Sequence, residues 1–372
     1  MLGDEEKLTA QAVLNGHVLV HGPRIHEFEN AFAAWTGADR AVALSSCTAG
    51  LHLAYFCRGI GPGDEVIVPA MTHVATAHAV ELVGAKPVFV DAEPATGNLD
   101  ASLVEEAITH ATKALSLVHY LGAPADMDAL TAIARKHDLF VVEDCALAIG
   151  ARHKGVHVGL IGDVGLFSFY PVKHLTTLEG GMALSKHPRL LDDMTLQRAF
   201  GVDRTHAERK VPGQYDVTHL GFNYRMNELQ AAIGTEQVSR LDGFLRERAS
   251  NHATLTDLLS GAPEIDLFSP SDSESQSAHY CFSFILNDLQ AERRTAVIES
   301  LKQKGVGTSI YYPKPIPELT YYKNKYGFRD GQFPVAARIA HHSIALPVGP
   351  HLKPGDAEYA AEAVLATIRE LS

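Results

Sequence analysis

Four cysteines among 372 residues, Cys47, Cys57, Cys145 and Cys281, are too few and too irregularly spaced for a disulfide framework or a zinc ribbon. They fit a reduced, cytosolic setting. Basic residues are also in deficit: 32 Lys and Arg stand against 44 Asp and Glu, a formal net charge of -12. That balance argues against a nucleic acid or an anionic membrane as partner, since their binders carry basic patches. It leaves room for a small anionic ligand, which needs only a few local donors. No run approaches 18 unbroken apolar residues, so no membrane span is predicted. The start, Met1-Leu-Gly-Asp-Glu-Glu-Lys, lacks the basic-then-apolar order of a signal peptide. A soluble cytoplasmic protein is the expectation. There is no Walker sequence to support an NTPase, no internal repeat and no low-complexity tail.

What is present is an ordinary globular balance, 46% hydrophobic and 20% charged, which excludes a largely disordered chain. The length exceeds what one core usually organises. Two domains are expected, a larger one over residues 1–240 and a smaller one over 241–372.

Between about residues 40 and 185 short β-branched runs alternate with amphipathic stretches. The runs Ala41–Leu44, Val66–Val68, Val88–Val90, Ala114–Val118, Leu139–Val142 and Val164–Phe169 predict strands. Ala49–Phe56, Val74–Val83, Ser102–Ile108 and Met127–His137 have helical period. This rhythm predicts an α/β domain with a mainly parallel sheet, whose ligands sit beyond the carboxyl ends of strands. Residues 186–222 read as polar and irregular. A long helix is expected from about Asn227, and Ser269–Ser277 reads as a solvated loop. Beyond it come a strand at Tyr280–Ile285, a helix over Ala291–Lys304 and a turn into Ser309–Tyr312.

Four segments carry chemistry-bearing residues. Ser45-Ser-Cys-Thr48-Ala49-Gly50 follows one strand and opens a helix, where small residues and free amides attract phosphate. Its bland alternative is a simple N-cap. Glu143-Asp144 ends another strand. A buried carboxylate there needs a partner: a metal, a ribose hydroxyl, a protonated ring nitrogen or a structural donor. Phe167-Ser168-Phe-Tyr-Pro-Val-Lys173-His174 places a lysine among apolar residues, where desolvation makes the amine a usable nucleophile. Gly180-Gly181 close by permits tight backbone approach. Gly221-Phe-Asn223-Tyr-Arg225-Met-Asn227 offers donors for phosphate or carboxylate, or a helix cap. A phosphate cradle, an aspartate and a later lysine, in that order on an α/β sheet, point to pyridoxal 5'-phosphate.

At these residues the sequence resembles the DegT/DnrJ/EryC1/StrS aminotransferases, sugar aminotransferases of pyridoxal phosphate fold type I. The resemblance extends from His21-Gly-Pro-Arg to Leu346-Pro-Val. It includes Gly63-Asp-Glu-Val-Ile-Val-Pro, Glu143-Asp-Cys-Ala, Glu179-Gly-Gly-Met and Gly307-Thr-Ser-Ile-Tyr-Tyr-Pro. It implies a mainly parallel seven-stranded sheet in the large domain and a smaller C-terminal α+β domain. Lys173 becomes the Schiff-base lysine and proton carrier, and Asp144 the partner of the pyridinium nitrogen. Thr48, Ala49 and Ser168 hold the phosphate, with Cys47 beside the cofactor in the same cradle. Asn223 reaches the phosphate of a neighbouring subunit, which implies a homodimer. His73 takes the place of the aromatic ring that covers the cofactor.

The sequence departs from the family pattern at three positions. His73 replaces Phe, Trp or Tyr. Leu147 stands where Gln or His approaches the cofactor hydroxyl, and Tyr311 where a His often precedes Tyr-Pro. A dehydratase branch carries His in place of the lysine; the lysine here favours transamination.

The expected function is transfer of an amino group from L-glutamate to a keto-sugar linked to dTDP, UDP or GDP, in amino-sugar, surface-polysaccharide or glycoside biosynthesis. A ketocyclitol or free keto-sugar phosphate is the alternative substrate, and a cofactor-binding regulator without catalysis the alternative class. Arg204, Arg209 and Lys210 are candidates for a sugar diphosphate, or a solvated surface run. The twenty histidines show no convincing metal-ligand spacing, and no metal is expected.

Overall fold

The computed structural model describes residues 2–203, 211, 213–269, 272–287 and 292–371. Its centre is a seven-stranded sheet. The strands are β1 (Ala41–Leu44), β2 (Glu65–Pro69), β3 (Lys86–Val90), β4 (Thr112–Val118), β5 (Phe140–Asp144), β8 (Val164–Ser168) and β9 (Gly181–Leu184). Their order is β1-β9-β8-β5-β4-β2-β3. From β8 to β3 every neighbouring pair is parallel. β9 alone runs antiparallel to both of its neighbours, so β1 points the same way as β8. The sheet is therefore mainly parallel, and six strands deliver their carboxyl ends to one rim. The apolar runs at 41–44 and 164–169 form β1, an edge strand, and β8, an inner one. The strand between them, Gly181–Leu184, was not among the predicted ones, because two glycines precede only three apolar residues.

Burial explains the continuous apolar runs. β1, β5, β8 and β9 are buried along their whole length, as strands covered on both faces must be. One covering layer contains α3 (Cys47–Cys57), α4 (Val74–Leu82) and α7 (Pro188–Gln197). On the other side lie α5 (Ala101–Ala107) and α6 (Met127–Lys136), with Val104, Met127 and Leu130 buried against β4 and β5. Helix α7 corrects the expectation of an irregular 186–222 stretch. Pro188 at its first turn supplies a preset φ where no amide is needed, and Leu190, Leu191 and Met194 bury one face.

Two amino-terminal helices, α1 (Asp4–Leu14) and α2 (Pro23–Thr36), pack on α8 (Glu228–Leu259). Phe28 and Phe32 of α2 meet Phe169 at ring-centroid distances of 5.2 and 5.6 Å. Asn227 caps α8 by accepting from the Gln230 amide at 2.9 Å, and the Gln230 side chain accepts from the Asn227 amide at 3.2 Å. The helix runs unbroken through residue 240. Ala231, Val238 and Leu241 join the core of the large sheet, while Leu255 and Leu259 join a separate C-terminal core. That second core gathers β10 (Ile265–Leu267), β12 (Phe282–Leu286) and β13 (Ser343–Leu346), an antiparallel sheet ordered β10-β12-β13. Helices Arg294–Gln303 and Asp356–Leu371 cover it.

A small sheet joins β6 (Arg152–His153), β7 (Val156–His157) and β11 (Ser275–Gln276). The segment expected to be purely a loop at 269–277 thus contributes one short strand. Among the described residues no helix is long and apolar enough to cross a membrane.

Candidate active site

The strand rim collects most of the expected residues. Register aligns Leu44 of β1, Gly181 of β9 and Ser168 of β8 side by side. The ends of β1 and β8 are thereby one narrow strand apart. Gly181 is what allows it: a Cβ there would lie 2.4 Å from the Ser46 carbonyl carbon and 2.6 Å from the Cys47 amide nitrogen. The rim therefore brings the start of α3 against Ser168. Ser46 caps α3, its hydroxyl accepting from the Ala49 amide at 3.0 Å. Thr48 sits in the first turn and is partly open, among the amides a helix start leaves free.

Asp144 ends β5, nearly buried at 3% exposure. Its Oδ2 accepts from the Thr76 hydroxyl at 2.8 Å, and its Oδ1 accepts from the Ala146 amide at 3.1 Å. The Cys47 thiol donates to Oδ1 at 3.9 Å. Burial first, then the adjacent Asp144 charge, pushes the Cys47 thiol well up, so it stays protonated and packs as a neutral group.

Lys173 lies five residues beyond β8, its Nζ 5.2 Å from the centroid of the Tyr280 ring. Burial lowers its pKa, against the opposing pull of Asp144 and Cys47. His174 beside it is fully enclosed and donates from Nε2 to the Ala278 carbonyl at 2.9 Å, which pins the loop.

His73 precedes α4 and caps it, its Nδ1 accepting from the Ala75 amide at 3.2 Å. The ring meets Tyr312 edge-on at 5.6 Å. His73, Asp144 and Lys173 act on one another electrostatically, so they share one site.

Asn223 stands apart. It is exposed, in a connector bridged to Ala199 rather than at a strand end. Arg225 in the same connector lies over Phe200 at 5.1 Å. Arg204, Arg209 and Lys210 fall outside the described residues. Leu147 is buried in the core, with no polar function to offer.

Glu143, the other carboxylate of the pair, has a structural environment. It accepts from the amides of Gly159, Ile161 and Gly162 at 2.7, 2.9 and 2.5 Å and from His119 Nε2 at 3.0 Å. His119 Nδ1 in turn accepts from the Ala125 amide at 3.1 Å. These two residues and Cys145 lie close enough to suggest a metal cluster. The carboxylate and imidazole are already engaged by hydrogen bonds, which accounts for the grouping without an ion.

Sequence reasoning missed Thr76, Thr72 and Tyr280. The first two were visible only as threonines four apart at a helix start, a pattern with many ordinary causes.

The donor set fits pyridoxal phosphate: a partly buried amine at Lys173, the buried Asp144 carboxylate oriented by the Thr76 hydroxyl and the Ala146 amide, and a helix start with a serine nearby. Comparison with known proteins agrees. The model of the DegT/DnrJ/EryC1/StrS aminotransferase family matches residues 1–365. The chain is 35% identical over 373 residues to the spore coat polysaccharide biosynthesis protein SpsC of Bacillus subtilis, covering 98% of this chain and 94% of that one. Among solved structures, DesV of S. venezuelae matches with a TM-score of 0.90 at 34% identity, over 99% of this chain and 94% of that one. The putative sugar aminotransferase Spr1654 of Streptococcus pneumoniae, in its PMP form, matches with a TM-score of 0.95 at 28% identity, over 100% and 98%. The chain is a pyridoxal phosphate-dependent transaminase of fold type I. It belongs to the DegT/DnrJ/EryC1/StrS aminotransferase family.

Proposed function

We propose that the protein is a sugar aminotransferase that moves an amino group from L-glutamate to a nucleotide-linked keto-sugar. The observation that carries the transamination chemistry is Lys173, desolvated and within electrostatic reach of Asp144. The sugar is supported by the names of relatives, a polysaccharide biosynthesis protein and a sugar aminotransferase among them.

When bound, pyridoxal phosphate supplies an electron-accepting ring that stabilises negative charge on the carbon losing its proton. In this reading Lys173 Nζ would hold the cofactor and, as a neutral amine, would take up the proton lost by the amino donor's α-carbon and give it back within the same half-reaction. Its lowered pKa suits both tasks. The Asp144 carboxylate would pair with the ring nitrogen and favour a proton there. The start of α3 at Thr48 and Ala49, together with the Ser168 hydroxyl, would bind the phosphate, the Ala49 amide exchanging its bond to the Ser46 hydroxyl for one to the ligand. His73 would cover the ring face.

Asn223 completes the phosphate site of a second copy in this reading. Two exposed apolar side chains close in sequence to site residues support a homodimer: Val172 beside Lys173, at 56%, and Leu220 three residues before Asn223, at 72%, are surfaces a partner would cover.

The test is a half-reaction followed by an acceptor series. Adding L-glutamate to the holoenzyme should bleach the visible cofactor band and release 2-oxoglutarate. Keto-sugars joined to dTDP, UDP or GDP should then restore it far faster than free keto-sugars. Equal rates with and without the nucleotide would overturn the nucleotide-linked substrate.

A further inference from the structure

The start of α4 carries two threonines that no expected role uses. Thr72 and Thr76 are buried, at 1% and 0% exposure. Their hydroxyls lie 2.8 Å apart. A helical threonine usually turns its hydroxyl back to a carbonyl three or four residues earlier. Thr76 instead donates to Asp144 Oδ2 at 2.8 Å. Its one proton being spent there, the contact with Thr72 must be donated by Thr72. The result is a directed chain, Thr72 to Thr76 to Asp144.

We propose that Thr76, backed by Thr72, is a positioning residue that fixes the Asp144 carboxylate for its contact with the cofactor ring nitrogen. The argument is geometric. The Ala146 amide and the long Cys47 contact hold Oδ1 only. Oδ2 has Thr76 as its side-chain donor, so Thr76 sets the rotation of the carboxylate plane about its bond to the chain. A hydroxyl donating to a carboxylate also draws charge from it, which leaves a shared proton on the ring nitrogen rather than on the aspartate. Thr72 donating to Thr76 polarises the second hydroxyl and strengthens its bond. Neither threonine need touch the amino donor or acceptor.

This proposal rests on the assignment of Asp144 to the ring nitrogen, so the experiment includes Asp144→Asn as a reference. Four variants are compared as holoenzymes: Thr76→Val, Thr76→Ser, Thr72→Val and Asp144→Asn. Pyridoxal phosphate affinity, circular dichroism of the visible cofactor band, and kcat and KM of the L-glutamate half-reaction are measured. Thr76→Val keeps the shape and loses the hydroxyl. It should weaken cofactor affinity and lower kcat by about tenfold, the scale of a lost hydrogen bond to a charged group. It should also alter the dichroism and leave the glutamate KM unchanged. Thr76→Ser should restore all three, and Thr72→Val should move them the same way by less.

If Thr76→Val matches the wild type while Asp144→Asn is impaired, the positioning role is overturned and the Asp144 assignment stands. If Thr76→Ser is as impaired as Thr76→Val, the effect is packing and the proposal again fails. If Asp144→Asn itself is unimpaired, the ring-nitrogen assignment fails and takes the proposal with it.

Discussion

His73 Nδ1 accepts the backbone N–H of Ala75 at 3.2 Å, so the helix that follows fixes the state of the imidazole ring. An accepting Nδ1 carries no proton, which leaves the ring proton on Nε2. Imidazolium would also meet the positive end of α4. Desolvation by the groups around the ring further lowers the His73 pKa, although the residue is open to solvent, with the Asp144 charge opposing and Lys173 assisting. The ring is therefore neutral at physiological pH and can lie on the cofactor as a phenyl ring would. Two outcomes are expected. Nitrogen NMR should show the Nε2–H tautomer titrating below the ordinary 6.5. His73→Phe should bind pyridoxal phosphate within about threefold of the wild type, less than 1 kcal/mol.

Gly181→Ala should damage cofactor binding without touching a ligand-facing side chain. The added Cβ would fall 2.4 Å from the Ser46 carbonyl carbon, a backbone atom that no rotamer change can move. The start of α3 must shift away from Ser168, widening the proposed phosphate cradle. Equilibrium titration should show affinity lost by about tenfold or more, a positional penalty of at least about 1.4 kcal/mol.

Glu143→Gln should cost stability rather than chemistry. Three amides and His119 donate to this buried carboxylate. Although burial works to raise its pKa, these donors win and hold it below the ordinary 4.5. The ionised form is thus favoured by folding, and its contribution is present above that value and lost as pH falls below it. An amide cannot accept on both sides, so urea unfolding at neutral pH should show a loss of about 3 kcal/mol.

Acid should weaken the protein earlier through histidine. His157 and His252 are pushed down to about 4, mainly by burial. The unfolded chain binds their protons near 6.5, so their contribution is complete above that pH and is lost as pH falls toward 4. His252 packs on His279 with ring centroids 4.4 Å apart. His252→Phe should therefore narrow the gap between unfolding midpoints measured at pH 7.5 and pH 5.

The alternation of strands and helices was legible because each buried strand is a short continuous apolar run, and each run predicted between residues 41 and 169 became a strand. The order of strands was not, since it depends on pairing between segments far apart in sequence. Gly181–Leu184 shows the cost: its two antiparallel pairings and its close approach to Ser46 make it central, yet its composition is weak. Helices α1 and α2 went unassigned although Pro23 and Gly37 bracket the second as start and stop signals. In the site, Lys173 and Asp144 were readable from motifs and His73 from the family resemblance, and the structure brings them together. Thr76 was not readable, because only the fold sets α4 against the end of β5. The resemblance singled out Asp144 over Glu143, and the structure supplies the physical difference between them. Strand alternation turns one toward Thr76 and the other toward the 159–162 amides.

The central claim is that Lys173 binds the cofactor and carries the proton, and the absorption spectrum of Lys173→Ala tests it most directly. Wild-type protein reconstituted with pyridoxal phosphate should show the visible band of the lysine-linked cofactor and lose it on adding L-glutamate. Lys173→Ala should fold, lack that band and show no glutamate half-reaction. An unchanged visible band in Lys173→Ala, with the glutamate response intact, would contradict the account.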